Sequence, residues 1–285
     1  MRVYQTVHPV AAFTYFMAVM SITMFISNPV ILAISLLGAL CFNMRRLRLQ
    51  DAVFYALTFI IIALTNPLFS DSGANPLFFI NGHAVTSEAL LYGLNIAVMI
   101  VAVMLWSKAY SAVMTADKFF ALFGRVIPKL TLILSIALRF IPQFKRQMKR
   151  VSDAQKAMGL YTNSKFKAAI NVFYIMLSWS LENAADTGAA MRARGYGLKG
   201  RSHFKLYKLS AKDIFLIFIT LLASVCVIAL KATGSIDFFF YPSVSDIALS
   251  VTALTAYSAF FILAIMPFIL ETEETIKWNF CVSKI

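Results

Sequence analysis

The chain has 285 residues, of which 60% are hydrophobic and only 14% charged, and it carries a net charge of +13. A soluble domain holds about 45–50% apolar and about 25% charged residues. One globular core cannot hide this much apolar surface, so the composition excludes an ordinary soluble domain and fits a polytopic membrane protein. The basic residues cluster beside apolar runs, as Lys and Arg do in cytoplasmic loops, so no nucleic acid partner is expected.

A hydrocarbon core of about 30 Å needs roughly 20 apolar residues in a helix. In chain order the candidates are 11–26 and 30–44, split by Ser27-Asn28-Pro29 into a tight hairpin of two short spans, then 52–69, 89–106, 214–230 and 247–270. The spacing predicts an all-α fold with about six transmembrane helices. The apolar run after His8-Pro9 exceeds a signal-peptide core and has no clear small-x-small exit, so it reads as a span. Arg45-Arg46-Leu47-Arg48 follows the second candidate, the loop 66–87 has no Lys or Arg, and Lys108, Lys118, Arg125 and Lys129 follow the fourth. The positive-inside rule then places both termini and the long basic insert in the cytoplasm. The division expected is 1–116 for the first four spans, 117–210 for a cytoplasmic or interfacial module and 211–285 for the last two spans.

Between Arg139 and Lys212 lie 15 of the 26 Lys and Arg residues, against only Asp153, Glu182 and Asp186. Residues 117–142 are apolar but interrupted by Gly124, Pro128 and Pro142, and read as helical pieces at the inner membrane face. Residues 143–158 place Phe144, Met148, Val151 and Met158 on one narrow stripe among Lys145, Arg146, Lys149, Arg150 and Lys156, the pattern of an amphipathic helix. Gly159 is a C-terminal cap residue for it, and Thr162-Asn163-Ser164 can start the next helix. That helix, about 165–194, is bulky at first (Phe166, Phe173, Trp179) and then small. Ala185, Ala189 and Ala193 recur every four residues, so another helix can approach that face closely. Met191-Arg192-Ala193-Arg194 ends it and Gly195 breaks it. Arginines in a last turn favour the helix dipole by about 0.3–1 kcal/mol; Arg194 on a stiff terminus can also present a rigid fork to a partner's carboxylate. By pattern alone the pair fits a basic surface resting on anionic membrane lipid or a docking module for a protein.

Ala190-Met191-Arg192-Ala193-Arg194-Gly195-Tyr196-Gly197 resembles the second Ala-Arg-Gly signature of the transmembrane T component of energy-coupling factor (ECF) transporters, the prokaryotic importers of vitamins and metal ions. His8-Pro9 resembles the family's N-terminal entry and Asn66-Pro67-Leu68-Phe69-Ser70 its loop after the third span. Ala116-Asp117-Lys118, Phe123-Gly124-Arg125, Pro128-Lys129 and Leu138-Arg139-Phe140-Ile141-Pro142 resemble the run into its first coupling helix. Asp153-Ala154-Gln155-Lys156-Ala157-Met158-Gly159 resembles the first signature. The resemblance implies two coupling helices whose ends insert into grooves on two ABC ATPase subunits and pass their motion to a small integral-membrane S component that binds substrate. It implies Arg194 as the main ATPase contact, Ala193, Gly195 and Arg192 around it, and Ala157 and Gly159 as the frame of the first end. One position departs: Met158 stands where the signature carries Arg. A thioether packs in a groove but cannot pair with a carboxylate, so that contact is either apolar or carried by Lys156 or another nearby cation.

The implied protein is a subunit of a prokaryotic cell membrane complex without a catalytic site or cofactor of its own. A stand-alone secondary transporter or channel is the alternative. It usually places ionisable groups within its spans, and the six candidate spans contain no Asp, Glu, Lys, Arg or His. A membrane-embedded enzyme needs a catalytic cluster, and Asp117, Asp153, Glu182 and Asp186 show no metal-ligand spacing with His. Glu182 and Asp186, one turn apart, read as partners for Lys or Arg, Asn183, Thr187 and Gly188 as packing positions, and Phe238 to Tyr241 as interface anchors. Cys41, Cys226 and Cys281 read as small membrane-packing residues.

Overall fold

The computed structural model describes residues 7–44, 47–69, 73, 75–80, 83–124, 126–159, 165–198, 207 and 209–282. Arg45, Arg46, Arg125, Ser70 and the predicted helix start at Thr162-Asn163-Ser164 lie outside the described residues. Contacts divide the chain into two compact units, 1–118 with 207–285, and 119–206.

The first unit is a bundle of apolar helices: α1 (Pro9–Phe25), α2 (Pro29–Asn43), α3 (Leu49–Phe69), α4 (Ser87–Val113), α8 (Ala211–Ala232) and α9 (Val251–Val282). Four are long and apolar enough to cross a membrane, namely α3, α4, α8 and the Val251–Glu273 part of α9, while α1 and α2 are shorter. At 1.5 Å per residue, the 17 residues of α1 and 15 of α2 rise about 26 and 22 Å, less than a full hydrocarbon core. The chain is thus an all-α polytopic membrane protein, its helices joined in one place by a short antiparallel hairpin, β1 (Pro76–Ile80) with β2 (His83–Thr86).

Asn28 makes the α1–α2 turn. It caps α2 by accepting from the Val30 N–H at 3.0 Å, Pro29 supplies the first helical residue, and its amide donates to the Ile236 carbonyl and Tyr257 hydroxyl. Other buried polar groups also bridge helices, as a bundle in lipid requires: Trp106 Nε1 donates to Ser35 Oγ at 3.0 Å, Ser35 shares a hydrogen bond with Thr23, Asn43 donates to the Leu105 carbonyl and Tyr15 to that of Leu263. Around Trp106 the rings of Tyr15 and Phe16 pack edge-on with centroids 6.3 and 6.2 Å away, a favoured aromatic arrangement. Gly38 lets α2 and α9 touch: a Cβ there would stand 2.9 Å from the Ala264 Cβ.

Several expectations change. Asn66, Pro67, Leu68 and Phe69 belong to the last turn of α3 rather than to a loop, with Asn66 donating to the Ala89 carbonyl. The last membrane helix begins at Val251, not at 247. The helices outrun the predicted spans and carry charge near their ends; Lys108 of α4 meets Asp51 of α3 at 2.6 Å. Of the aromatic run 238–241, Phe240 and Tyr241 lie edge-on to Tyr92 of α4, while Phe239 is exposed.

His8 caps α1: its Nδ1 accepts from the Val10 N–H at 3.2 Å, while its backbone N–H donates to Asp213 Oδ1 at 3.1 Å. Burial holds the imidazole pKa below its usual value, and the Asp213 charge opposes that in part. Only the neutral ring can accept at Nδ1. A lowered folded pKa means that the cap's stability is complete above the ordinary histidine value and is lost as pH falls through the lowered one. Thermal unfolding of the purified protein is expected to lose about 1 kcal/mol from this cap between pH 7.5 and 5. His8→Asn, which accepts without titrating, removes that component of the pH dependence; an unchanged pH profile in this variant contradicts the assignment.

The second unit holds most of α5 (Ala116–Phe123), α6 (Pro128–Ala157) and α7 (Lys165–Ala193). Gly124 and Pro128 interrupt the chain as expected, but Pro142 does not: α6 runs unbroken through it for 30 residues. Proline removes one ladder hydrogen bond, and the intact turns on either side carry the helix across. The two long helices pack on each other through the edge-on pair Phe144 and Trp179, 5.3 Å apart.

Candidate functional site

The two signature segments are the C-terminal ends of α6 and α7, and they are built alike. Met158 ends α6 with its N–H donating to the Ala154 carbonyl, and Gly159 follows at φ +70°, its N–H donating to the Lys156 carbonyl. Arg194 ends α7 with its N–H donating to the Ala190 carbonyl, and Gly195 follows at φ +78°, its N–H donating to that of Arg192. At the second end the Tyr196 N–H also reaches the Met191 carbonyl, completing a Schellman cap. Glycine is required at both places because the left-handed conformation costs other residues energy. Met158 and Arg194 therefore occupy the same position of equivalent caps.

Both ends are open to solvent. Ala157, Met158 and Gly159, and likewise Arg192, Ala193 and Arg194, are exposed; Met158 shows 64% of its surface. An added Cβ at Gly159 would touch nothing, whereas at Gly195 it would press on the Leu198 side chain. Lys156 lies 3.9 Å from Asp153 on the same helix, with both side chains more than half exposed, a pairing worth little in water. Among the described residues neither Arg192 nor Arg194 meets a carboxylate. Both arginines extend from a capped helix end.

The small-residue stripe Ala185, Ala189 and Ala193 is exposed, and no described helix of this chain covers it. Glu182 and Asp186 are exposed as well and form no ion pair among the described residues; their side chains project from α7 where no cation is placed. Asn183 lines a cleft, and a Cβ at Gly188 would meet nothing within 4 Å among the described residues.

The sequence reading missed a buried knot in the first unit. Lys118, only 2% exposed, feels the charge of Asp213; burial lowers its pKa and Asp213 opposes the shift. Asp213 also caps α8, taking the Ser210 N–H at 2.9 Å, and holds the His8 backbone. Lys118 stands where the chain leaves this unit, and Asp213 lies shortly after it returns. Only the α8 cap was legible in the sequence: Ser210 followed three residues later by Asp213 is a capping box.

Among the described residues no three His, Cys, Asp or Glu side chains come together in a way that could hold a metal ion. Comparison with known proteins supplies a family. The CbiQ family model, described as cobalt transport protein, matches residues 2–206. Over 97 residues the chain is 37% identical to the energy-coupling factor transporter transmembrane protein EcfT of Listeria innocua, a match covering 32% of this chain and 37% of that protein. The protein of the same name from Lactococcus lactis is 33% identical over 97 residues, covering 32% of this chain and 36% of that protein. The Staphylococcus aureus one is 23% identical over 192 residues, covering 62% of this chain and 72% of that protein. The first two matches span little more than a third of those relatives' length.

Proposed function

The chain belongs to the CbiQ cobalt transport protein family; from that premise we propose that it is the transmembrane component of an energy-coupling factor transporter, a non-catalytic scaffold passing the ATP-driven motion of two ATPase subunits to a substrate-binding S component. Its cargo is a vitamin or a metal ion, selected by the S component, and its termini and the module 117–210 face the cytoplasm. The observation that carries this reading is the pair of equivalent, exposed, glycine-capped helix ends. A cap that fixes the last turn rigidly, with small Ala and Gly residues beside one projecting side chain, suits insertion into a groove, because force on the end is carried along a stiff helix. Ala193, Arg194 and Gly195 form one plug and Ala157, Met158 and Gly159 the other, with Arg192 and Lys156 at their rims.

The plugs differ chemically at one position. Met158 sits at the cap position that Arg194 holds in the other helix, so the first plug enters its groove through a thioether and the second through a guanidinium. Two unlike grooves follow, as in a heterodimeric ATPase pair. Cysteines placed at Ala157 and Ala193 in a cysteine-free background are expected to crosslink to two different ATPase chains; failure of both to crosslink contradicts the docking assignment. In binding assays with the ATPases, Met158→Asp is expected to weaken association about tenfold, roughly 1.4 kcal/mol, whereas Lys156→Ala changes it less than about threefold. Equal losses from Lys156→Ala and Arg194→Ala would instead place the first contact's charge on Lys156.

A further inference from the structure

On α6, Arg139, Gln143, Arg146 and Arg150 follow at spacings of four, three and four residues and so share one helix face. Together with Trp179 and Asn183, one turn apart on α7, they line a cleft of about 540 Å³. No carboxylate lines it, and among the described residues none of the three arginines makes an ion pair. Three guanidiniums drawn into one cleft repel one another unless an anion sits between them. Each offers a planar fork of N–H donors suited to phosphate oxygens, while Gln143, Asn183 and the Trp179 indole can each donate as well. The volume is in the range of small-molecule sites and exceeds the needs of inorganic phosphate.

Elsewhere on the same two helices apolar side chains are exposed, among them Leu138 and Ile141 on α6 and Phe173, Leu177 and Leu181 on α7. Along α6 the chain changes at this point from an apolar first half to a basic second half, the change expected at headgroup depth, and a half-buried Trp179 marks the same level. A cluster of phosphate-binding donors at headgroup depth calls for an anionic lipid headgroup. We propose that this cleft binds the phosphate headgroup of an anionic phospholipid. The lipid would bridge the two helices at their crossing and neutralise the arginine cluster, tying the helix pair to the membrane surface. Lipid binding here involves neither helix end, so its failure leaves the ATPase-docking reading standing, and the converse holds.

The test is native mass spectrometry of the purified full chain in neutral detergent, supplied with equal phosphatidylglycerol and phosphatidylcholine. The wild type is expected to retain phosphatidylglycerol at least tenfold over phosphatidylcholine, and the triple variant Arg139→Gln/Arg146→Gln/Arg150→Gln to fall to parity. Lys145→Gln/Lys149→Gln, which removes charge from the same helix outside the cleft, is expected to keep the preference. Asn183→Asp supplies an internal anion to the arginines; it is expected to cut the preference several-fold while raising the melting temperature, so the outcome does not depend on the triple variant folding. Parity in the wild type, an equal loss in the lysine variant or an unaffected Asn183→Asp overturns the proposal. Displacement of the lipid by 10 mM inorganic phosphate assigns the site to a soluble anion, and displacement by the added ATPases assigns it to an acidic protein surface; either result also overturns it.

Discussion

Arg194→Glu is expected to lower the affinity of the chain for its ATPase subunits by about a hundredfold, about 3 kcal/mol, while leaving the membrane bundle folded. The side chain is exposed at the end of α7 and meets no carboxylate among the described residues, so its reversal breaks no ion pair of the free protein that the described residues show. In a groove that offers a carboxylate, the new charge faces a like charge after both have lost water, where repulsion is screened least. Glutamate at a helix C-terminus also opposes the helix dipole by a few tenths of a kcal/mol, which is small beside the docking loss. Co-purification of the ATPases with the variant, together with its melting temperature, separates the two effects. An unchanged melting temperature with the ATPases lost supports docking through this residue; full retention of the ATPases removes Arg194 from the interface.

Trp106→Ala is expected to destabilise the bundle by about 3–5 kcal/mol. The ring is completely buried and rests edge-on to Tyr15 and Phe16. Its Nε1 donates to Ser35, itself hydrogen-bonded to Thr23. In a membrane, helix association has little hydrophobic drive because lipid tails are as apolar as the core. The cost therefore comes from lost dispersion contacts around the cavity and from the stranded hydroxyl pair. Thermal unfolding in detergent should show a large fall for Trp106→Ala and a smaller one for Trp106→Phe, which retains most of the packing and loses the hydrogen bond. A loss below about 1 kcal/mol for the alanine variant would mean that α1, α2 and α4 are not held together at this point.

What could be read from the sequence was local. Asn28-Pro29 announces the α1–α2 turn because both residues act on their own backbone, and Gly159 and Gly195 announce helix ends because few other residues tolerate positive φ. Length and hydrophobicity locate the helices of the bundle. Pro142 misled, because a proline's single missing hydrogen bond does not decide the fate of a long helix. The hairpin 76–86 was overlooked within a loop, although Asn81-Gly82 between its strands is a turn pair that favours hairpins. The arginine cleft was hidden because each arginine, taken singly, reads as a solvated residue on an amphipathic helix; only the packing of α7 against α6 brings Trp179 and Asn183 opposite them. The knot of His8, Lys118 and Asp213 joins residues far apart in sequence, which no local pattern reports. The outward pointing of Glu182 and Asp186 likewise depends on what surrounds α7.

The central claim is that this chain transmits motion between partners and does not transport by itself. The most direct measurement is purification from its native membrane in mild detergent, followed by identification of the stably bound proteins and an assay of their ATP hydrolysis. The account predicts two ATPase chains and one small integral-membrane protein, with the ATPases alone lost on Arg194→Glu. A chain that purifies alone under nucleotide-stabilised conditions, and moves solute when reconstituted alone, would contradict it.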